Sequence, residues 1–136
     1  MAARRLAAVI AGIGALGTMA VSSPAPALRI MENLGRGVVA VRTSETGVHV
    51  GWRLLGTDPP DLAFNLYRSA GAATPVRLND EPLATTTDFV DASADLSEPN
   101  SYTVRPVLAG VELNPSTPFT LTASAPIQQY LTVPLH

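Results

Sequence analysis

His49 and His136 are the only imidazoles in the chain, and there is no cysteine. No His-x-x-x-His or Cys-x-x-Cys spacing occurs, so a zinc site would need carboxylates and two distant imidazoles. Asp80 and Glu81 are adjacent, and neighbouring side chains on a strand point to opposite faces. As an acid and base flanking a glycosidic bond they are a poor pair. Asp88 and Asp91 bracket Phe89, with Asp95 and Glu98 in the following turn. A loose calcium site could be drawn from these four, yet their spacing does not match an EF-hand loop, and they read as solvated turn carboxylates. No serine lies in a G-x-S-x-G elbow. The "LGRG" stretch places Gly35 and Gly37 before the β-branched run Val38-Val39-Ala40-Val41. A phosphate-cradling loop needs the reverse order, a strand first and then a helix whose N-terminus faces the anion. These patterns assign no catalytic, cofactor-binding or metal-ligating residue.

Composition narrows the partners. The chain has 136 residues, nine basic side chains (all arginine), eleven acidic ones and a formal net charge of −2. It opens with Arg4-Arg5, an uncharged run from Leu6 to Val21, and a small-residue end at Ala25-Pro26-Ala27. That is the layout of a secretory signal peptide over residues 1–27, which predicts a secreted protein touching membrane only through this signal. The Arg4-Arg5 pair matches the twin-arginine pattern weakly. Without the leader, seven arginines face eleven acids. A mildly acidic surface with no basic cluster is a poor polyanion binder, so nucleic acid is excluded as a partner class. With no cysteine available, an exported domain must rely on its core rather than disulfides. The hundred or so remaining residues suffice for one domain.

The elements that must position any site are short and alternating. Val39 and Val41 share a face. "VHVGWRLL" sets Val48, Val50, Trp52 and Leu54 on one side and His49, Gly51 and Arg53 on the other. "GTDPPD" breaks the chain. "AFNLYRS" then offers Phe64 and Leu66 inward, "TPVRL" is a weak strand, and "TTTDFVD" carries Phe89. "SYTVRPVL" presents Tyr102 and Val104, Ala109-Gly110 turns a hairpin, and "PFTLTA" closes with Phe119 and Leu121. Seven such strands without helical periodicity predict an all-β, antiparallel, immunoglobulin-like β-sandwich over residues 28–126. Residues 127–136 are expected to be a linker. Pro106 and Pro118 suit edge or bulge positions. Trp52 is expected in the core, His49 on the surface, and Tyr102 as a tyrosine corner bonding back to backbone. Among the aromatics only Tyr67 faces outward by alternation, a thin basis for a sugar-stacking platform.

Two resemblances follow from these blocks. Trp52, "FNLYR", "DFVD" and "YTV" in that order resemble a fibronectin type III domain. Met31, Glu32, Leu34, Arg36 and Gly37 form one block. Trp52, Arg53, Leu55, Gly56 and Asp58 form a second, and Phe64, Asn65, Tyr67 and Arg68 a third. Together they resemble the start of mature rhamnogalacturonan lyases of polysaccharide lyase family 11, over residues 29 to 136. The closing "QQYLTVPLH" resembles the entry to a further domain.

The resemblance implies a fibronectin-III-like N-terminal domain, with cleavage performed by a calcium-containing β-propeller that is absent here. The implied reaction is β-elimination: a base removes the C5 proton of a galacturonate, and the bond at O4 breaks. Calcium would hold the uronate carboxylate. The catalytic residues and most calcium ligands have no counterpart in this chain, which is expected to be inactive alone. The implied partners are the propeller, docked through Met31 and Leu34, and a pectic polysaccharide. The alternative is a stand-alone secreted module that binds a carbohydrate or protein.

Overall fold

A computed structural model describes residues 34–132. The expected leader over 1–27, Met31 and His136 lie outside them. The described residues hold eight strands and no helix: β1 (Val39–Arg42), β2 (Val48–Gly51), β3 (Ala63–Ala70), β4 (Val76–Arg77), β5 (Asp88–Asp91), β6 (Asn100–Leu108), β7 (Val111–Glu112) and β8 (Phe119–Leu121). They form two antiparallel sheets. One runs β1-β2-β5, and the other runs β4-β3-β6-β7, with β8 also paired to β6. The expected all-β sandwich is therefore the observed architecture.

Alternation explains the layers. Val48 and Val50 from one sheet meet Phe64, Leu66, Tyr102 and Val104 from the other, all of them buried. Trp52 packs edge-on to Phe64, with ring centroids 5.7 Å apart and planes at 62°. Removing these side chains from water contributes about 1.5–3 kcal/mol each. Leu54 breaks the expected face. It is 61% exposed because β2 ends at Gly51 and period-2 alternation lapses beyond it. In β1 it is the small Ala40, with Val38 before it, that enters the core, while Val39 and Val41 are half-buried.

The count of eight, not seven, has a local cause. The far edge of β6 is covered in two pieces. β7 pairs with Val107 and Leu108, and β8 pairs with Asn100 to Tyr102. Between them Ser116 bridges the gap, its N–H donating to the Val104 carbonyl and its hydroxyl oxygen accepting from the Val104 N–H. Pro115 and Pro118 flank that patch. Ala109 and Gly110 turn the hairpin with φ of 49° and 79°, the pair of positive values that a type I′ turn requires.

Pro106 corrects the edge expectation, because it is buried within the central strand β6. Its neighbour Phe64 exchanges backbone hydrogen bonds with Leu83, on the side of β3 away from β6. The β3 register thus asks nothing of the proline nitrogen. On the β7 side the Pro106 carbonyl accepts from the Leu113 N–H, where the ladder ends. A missing donor is tolerated there.

Candidate functional site

One residue from each of the three sequence blocks, Arg36, Asp58 and Phe64, comes together with the others beside the entry to β1. Arg36 makes a two-pronged ion pair with Asp58, at 2.5 and 2.8 Å. Asp58 also accepts from the Leu55 N–H at 2.6 Å, which fixes the Gly56-Thr57 turn. The Arg36 guanidinium lies 5.2 Å from the Phe64 ring centroid, and its carbonyl accepts from the Arg53 N–H. Hydrogen bonding to Arg36 holds the Asp58 carboxyl below its ordinary value, against the opposing effect of burial. Gly37 follows with φ +57°, and a Cβ there would lie 2.4 Å from Arg53 Nη2. The G-x-G is thus a tight entry into β1. It is a staple joining residues far apart in sequence.

A second polar group lies between the sheets. Asp91, on β5, accepts from Arg68 Nη1 at 2.6 Å and from the Tyr102 hydroxyl at 3.0 Å. Its other oxygen accepts from the Ser93 N–H and hydroxyl at 2.9 and 2.8 Å. Burial pushes the Asp91 carboxyl up, but the bonds from Ser93 and Arg68 outweigh it and leave it lowered. Burial and the Asp91 charge push the Tyr102 phenol well up, so it remains a donor. Two expectations change here. Asp91 is not a solvated turn carboxylate, and the Tyr102 hydroxyl bonds a carboxylate rather than backbone. Both follow from Arg68, an inward-facing cation of β3 that needs a counter-charge.

The outer face of the larger sheet carries a groove of about 410 Å³. Cross-strand register assembles its floor: Tyr67 lies opposite Thr103 and Ser69 opposite Ser101, with Arg105 two residues beyond Thr103 on β6. Pro75, Pro115 and Pro118 form its walls. Glu112, beside it, accepts from Tyr67 Oη and Asn65 Nδ2, each at 2.6 Å. Those two bonds, the tyrosine's foremost, hold its carboxyl below the ordinary value, and the same bond to Glu112 raises the Tyr67 phenol. The Arg105 guanidinium lies 5.4 Å from the Tyr67 ring centroid.

The remaining sequence candidates are scattered. His49 is exposed, 3.3 Å from Asp88, and Asp88 also accepts from the Thr86 hydroxyl. Asp95 closes an Asx turn with Ser97, and Asp80, Glu81 and Glu98 are exposed. Among the described residues no three histidine or acidic groups gather to hold a metal ion. The Asp91 oxygens are already taken, so the loop between Asp88 and Glu98 does not fit calcium. Tyr67 does face outward, and so does Tyr130, beyond the last strand, which alternation could not reveal. The groove was missed because Ser69, Ser101, Thr103 and Arg105 converge only through the β3–β6 register.

Comparison with known proteins follows the same lines. The family described as "Rhamnogalacturonan I lyases beta-sheet domain" matches residues 29–121. Rhamnogalacturonan endolyase YesW of Bacillus subtilis (strain 168) is 41% identical over 109 residues, 80% of this chain and 16% of that protein. Rhamnogalacturonan exolyase YesX of the same organism is 47% identical over 66 residues, 48% of this chain and 10% of that one. The chain therefore spans less than a fifth of the length of these relatives. Among solved structures, an Fn3-like protein from Clostridium thermocellum superposes with a TM-score of 0.53 at 22% identity, over 73% of this chain and 93% of that one. That likeness carries the fibronectin-III-like fold. With the matched family covering all three motif blocks from Arg36 onward, the chain belongs to the rhamnogalacturonan I lyase β-sheet domain family.

Proposed function

We infer that this chain is the non-catalytic, N-terminal β-sheet domain of a secreted lyase that cleaves rhamnogalacturonan I by β-elimination. The observation that carries the reading is the family match over residues 29–121 in a domain where the three carboxylates that are not exposed among the described residues are already committed. Asp58 is held by Arg36, Asp91 by Ser93 and Arg68, and Glu112 by Tyr67 and Asn65. Each is shifted down, and a carboxylate so lowered is a weak base for abstracting a carbon-bound proton. The C5 proton transfer and the calcium that would hold the uronate belong, in this reading, to a propeller outside this chain. Leu34, 48% exposed, and Met31 are the proposed contacts with that propeller. The basic and apolar leader over 1–27 supports export.

The test is direct. The purified chain, incubated with rhamnogalacturonan I and calcium, is expected to release no unsaturated uronate ends, followed by their ultraviolet absorbance. The same chain fused to its downstream propeller is expected to release them. Turnover by the chain alone would overturn the non-catalytic reading, and an inactive fusion would overturn the lyase reading. Export is tested separately by fusing residues 1–27 to a reporter and assaying the medium.

A further inference from the structure

The groove on the outer face of β3 and β6 combines three kinds of surface. Its floor holds the hydroxyls of Ser69, Ser101 and Thr103, its walls are pyrrolidine rings, and the Arg105 guanidinium stands at one end. Arg105 is 42% exposed, and its ion-pair partner Glu112 Oε2 stands 3.7 Å away, longer than a hydrogen bond. Glu112 spends its other oxygen on Tyr67 and Asn65. The guanidinium therefore keeps N–H groups for an incoming anion, held in place by the ring beneath it. Prolines fix φ, so the walls are stiff and a ligand costs little ordering. About 410 Å³ falls in the range of small-ligand clefts.

The chemistry selects among ligands. A proline-rich peptide needs a row of open aromatic faces, but one face of Tyr67, the aromatic residue lining this groove, is already covered by Arg105. A polyphosphate chain needs several cations along its track, and Arg105 is the only cation lining the groove. A sugar ring with one carboxylate suits one guanidinium, a few hydroxyls and flat C–H walls.

We propose that this groove is a uronate subsite, in which Arg105 receives the carboxylate of an acidic sugar while Ser69 and Thr103 bond its hydroxyls. The identity of the polymer as a pectic chain rests on the lyase-domain reading above; the preference for a uronate does not. Such a subsite would hold the polymer near a catalytic body without cutting it.

Amide chemical shifts of the full chain, titrated with rhamnogalacturonan I oligosaccharides, test this. Saturable shifts centred on Ser69, Thr103 and Arg105 are expected. Carboxyl-reduced oligosaccharides and the Arg105→Ala variant should each weaken binding by about tenfold or more, the worth of one charge-assisted contact. Arg105→Lys should recover part of it, and Thr103→Val should lose less. The circular dichroism of each variant checks its fold. Equal binding of carboxyl-reduced ligand, shifts centred elsewhere, or no shifts at millimolar ligand would overturn the subsite. Turnover by the propeller fusion without groove binding would sink the subsite and leave the lyase reading standing.

Discussion

Arg68 Nη1 sits 2.6 Å from Asp91 Oδ2, tying β3 of one sheet to β5 of the other inside the layer between them. Only 1% of the Asp91 side chain is exposed. Burying both charges is costly, and their mutual attraction with the Tyr102 and Ser93 bonds offsets that cost. Removing one partner leaves the other stranded. Asp91→Ala is expected to destabilise the domain by about 3–5 kcal/mol, read from urea unfolding. Tyr102→Phe, which loses one bond to a charged acceptor, should cost about 1.5–3 kcal/mol. A double Arg68→Leu, Asp91→Leu variant should cost less than the sum of the singles. Additive losses would show that the pair is not coupled.

Acid should act through the same groups. Asp58, Asp91 and Glu112 all titrate below their ordinary values in the folded chain. A carboxyl lowered on folding stabilises above its unfolded value, which is 3.8 for aspartate, and loses that stabilisation as pH falls through the folded value. Urea midpoints are expected to hold steady from neutral pH down to about pH 5 and to fall below about pH 4. Asp58→Asn and Asp91→Asn should each flatten the acid limb while lowering the neutral plateau. An unchanged slope would sink the linkage.

Gly37 combines positive φ with a crowded Cβ position. The crowding comes from the guanidinium end of Arg53, an exposed and flexible side chain that can move. The backbone cannot. Gly37→Ala is therefore expected to cost about 1–2 kcal/mol from left-handed strain, and nearly as much in an Arg53→Ala background. A loss that vanished in that background would assign the effect to the clash.

Trp52 is the single tryptophan and is buried, so native fluorescence should be blue-shifted and move red in one transition on unfolding. Trp52→Ala should cost about 3–5 kcal/mol. Its indole N–H is buried without a partner among the described residues. Trp52→Phe removes that unmet donor along with part of the ring, and should cost well under half as much as the alanine. Equal costs would mean that the N–H is satisfied.

The sandwich was readable because the residues facing inward on β2, β3 and β6 keep strict period-2 spacing. Val48, Val50, Phe64, Leu66, Tyr102 and Val104 were all identified from alternation, and all are buried. Alternation failed where its premise lapsed. Leu54 lies past the end of β2, and Pro106 escapes the edge rule because its missing donor falls where the ladder to β7 stops. Polar residues were harder, since their partners are distant in sequence. Asp91 looks like any turn acid until Arg68 and Tyr102 are placed beside it, and Asn65 and Tyr67 until Glu112 reaches them. The groove depends on pairing β3 with β6, a register that no single strand encodes.

β1 is anchored at both of its ends. Just before it the Arg36 carbonyl takes the Arg53 N–H, and at its last residue the Arg42 carbonyl takes the Gln128 N–H. Within the described residues, the chain is thus held near one tip of this four-residue strand by Arg36 and at the other by Gln128. A load applied between those two anchors acts on β1 lengthwise against β2, whose hydrogen bonds lie across the strands. The four rungs would then resist together rather than peel apart singly, so that β1 is stiff along its length.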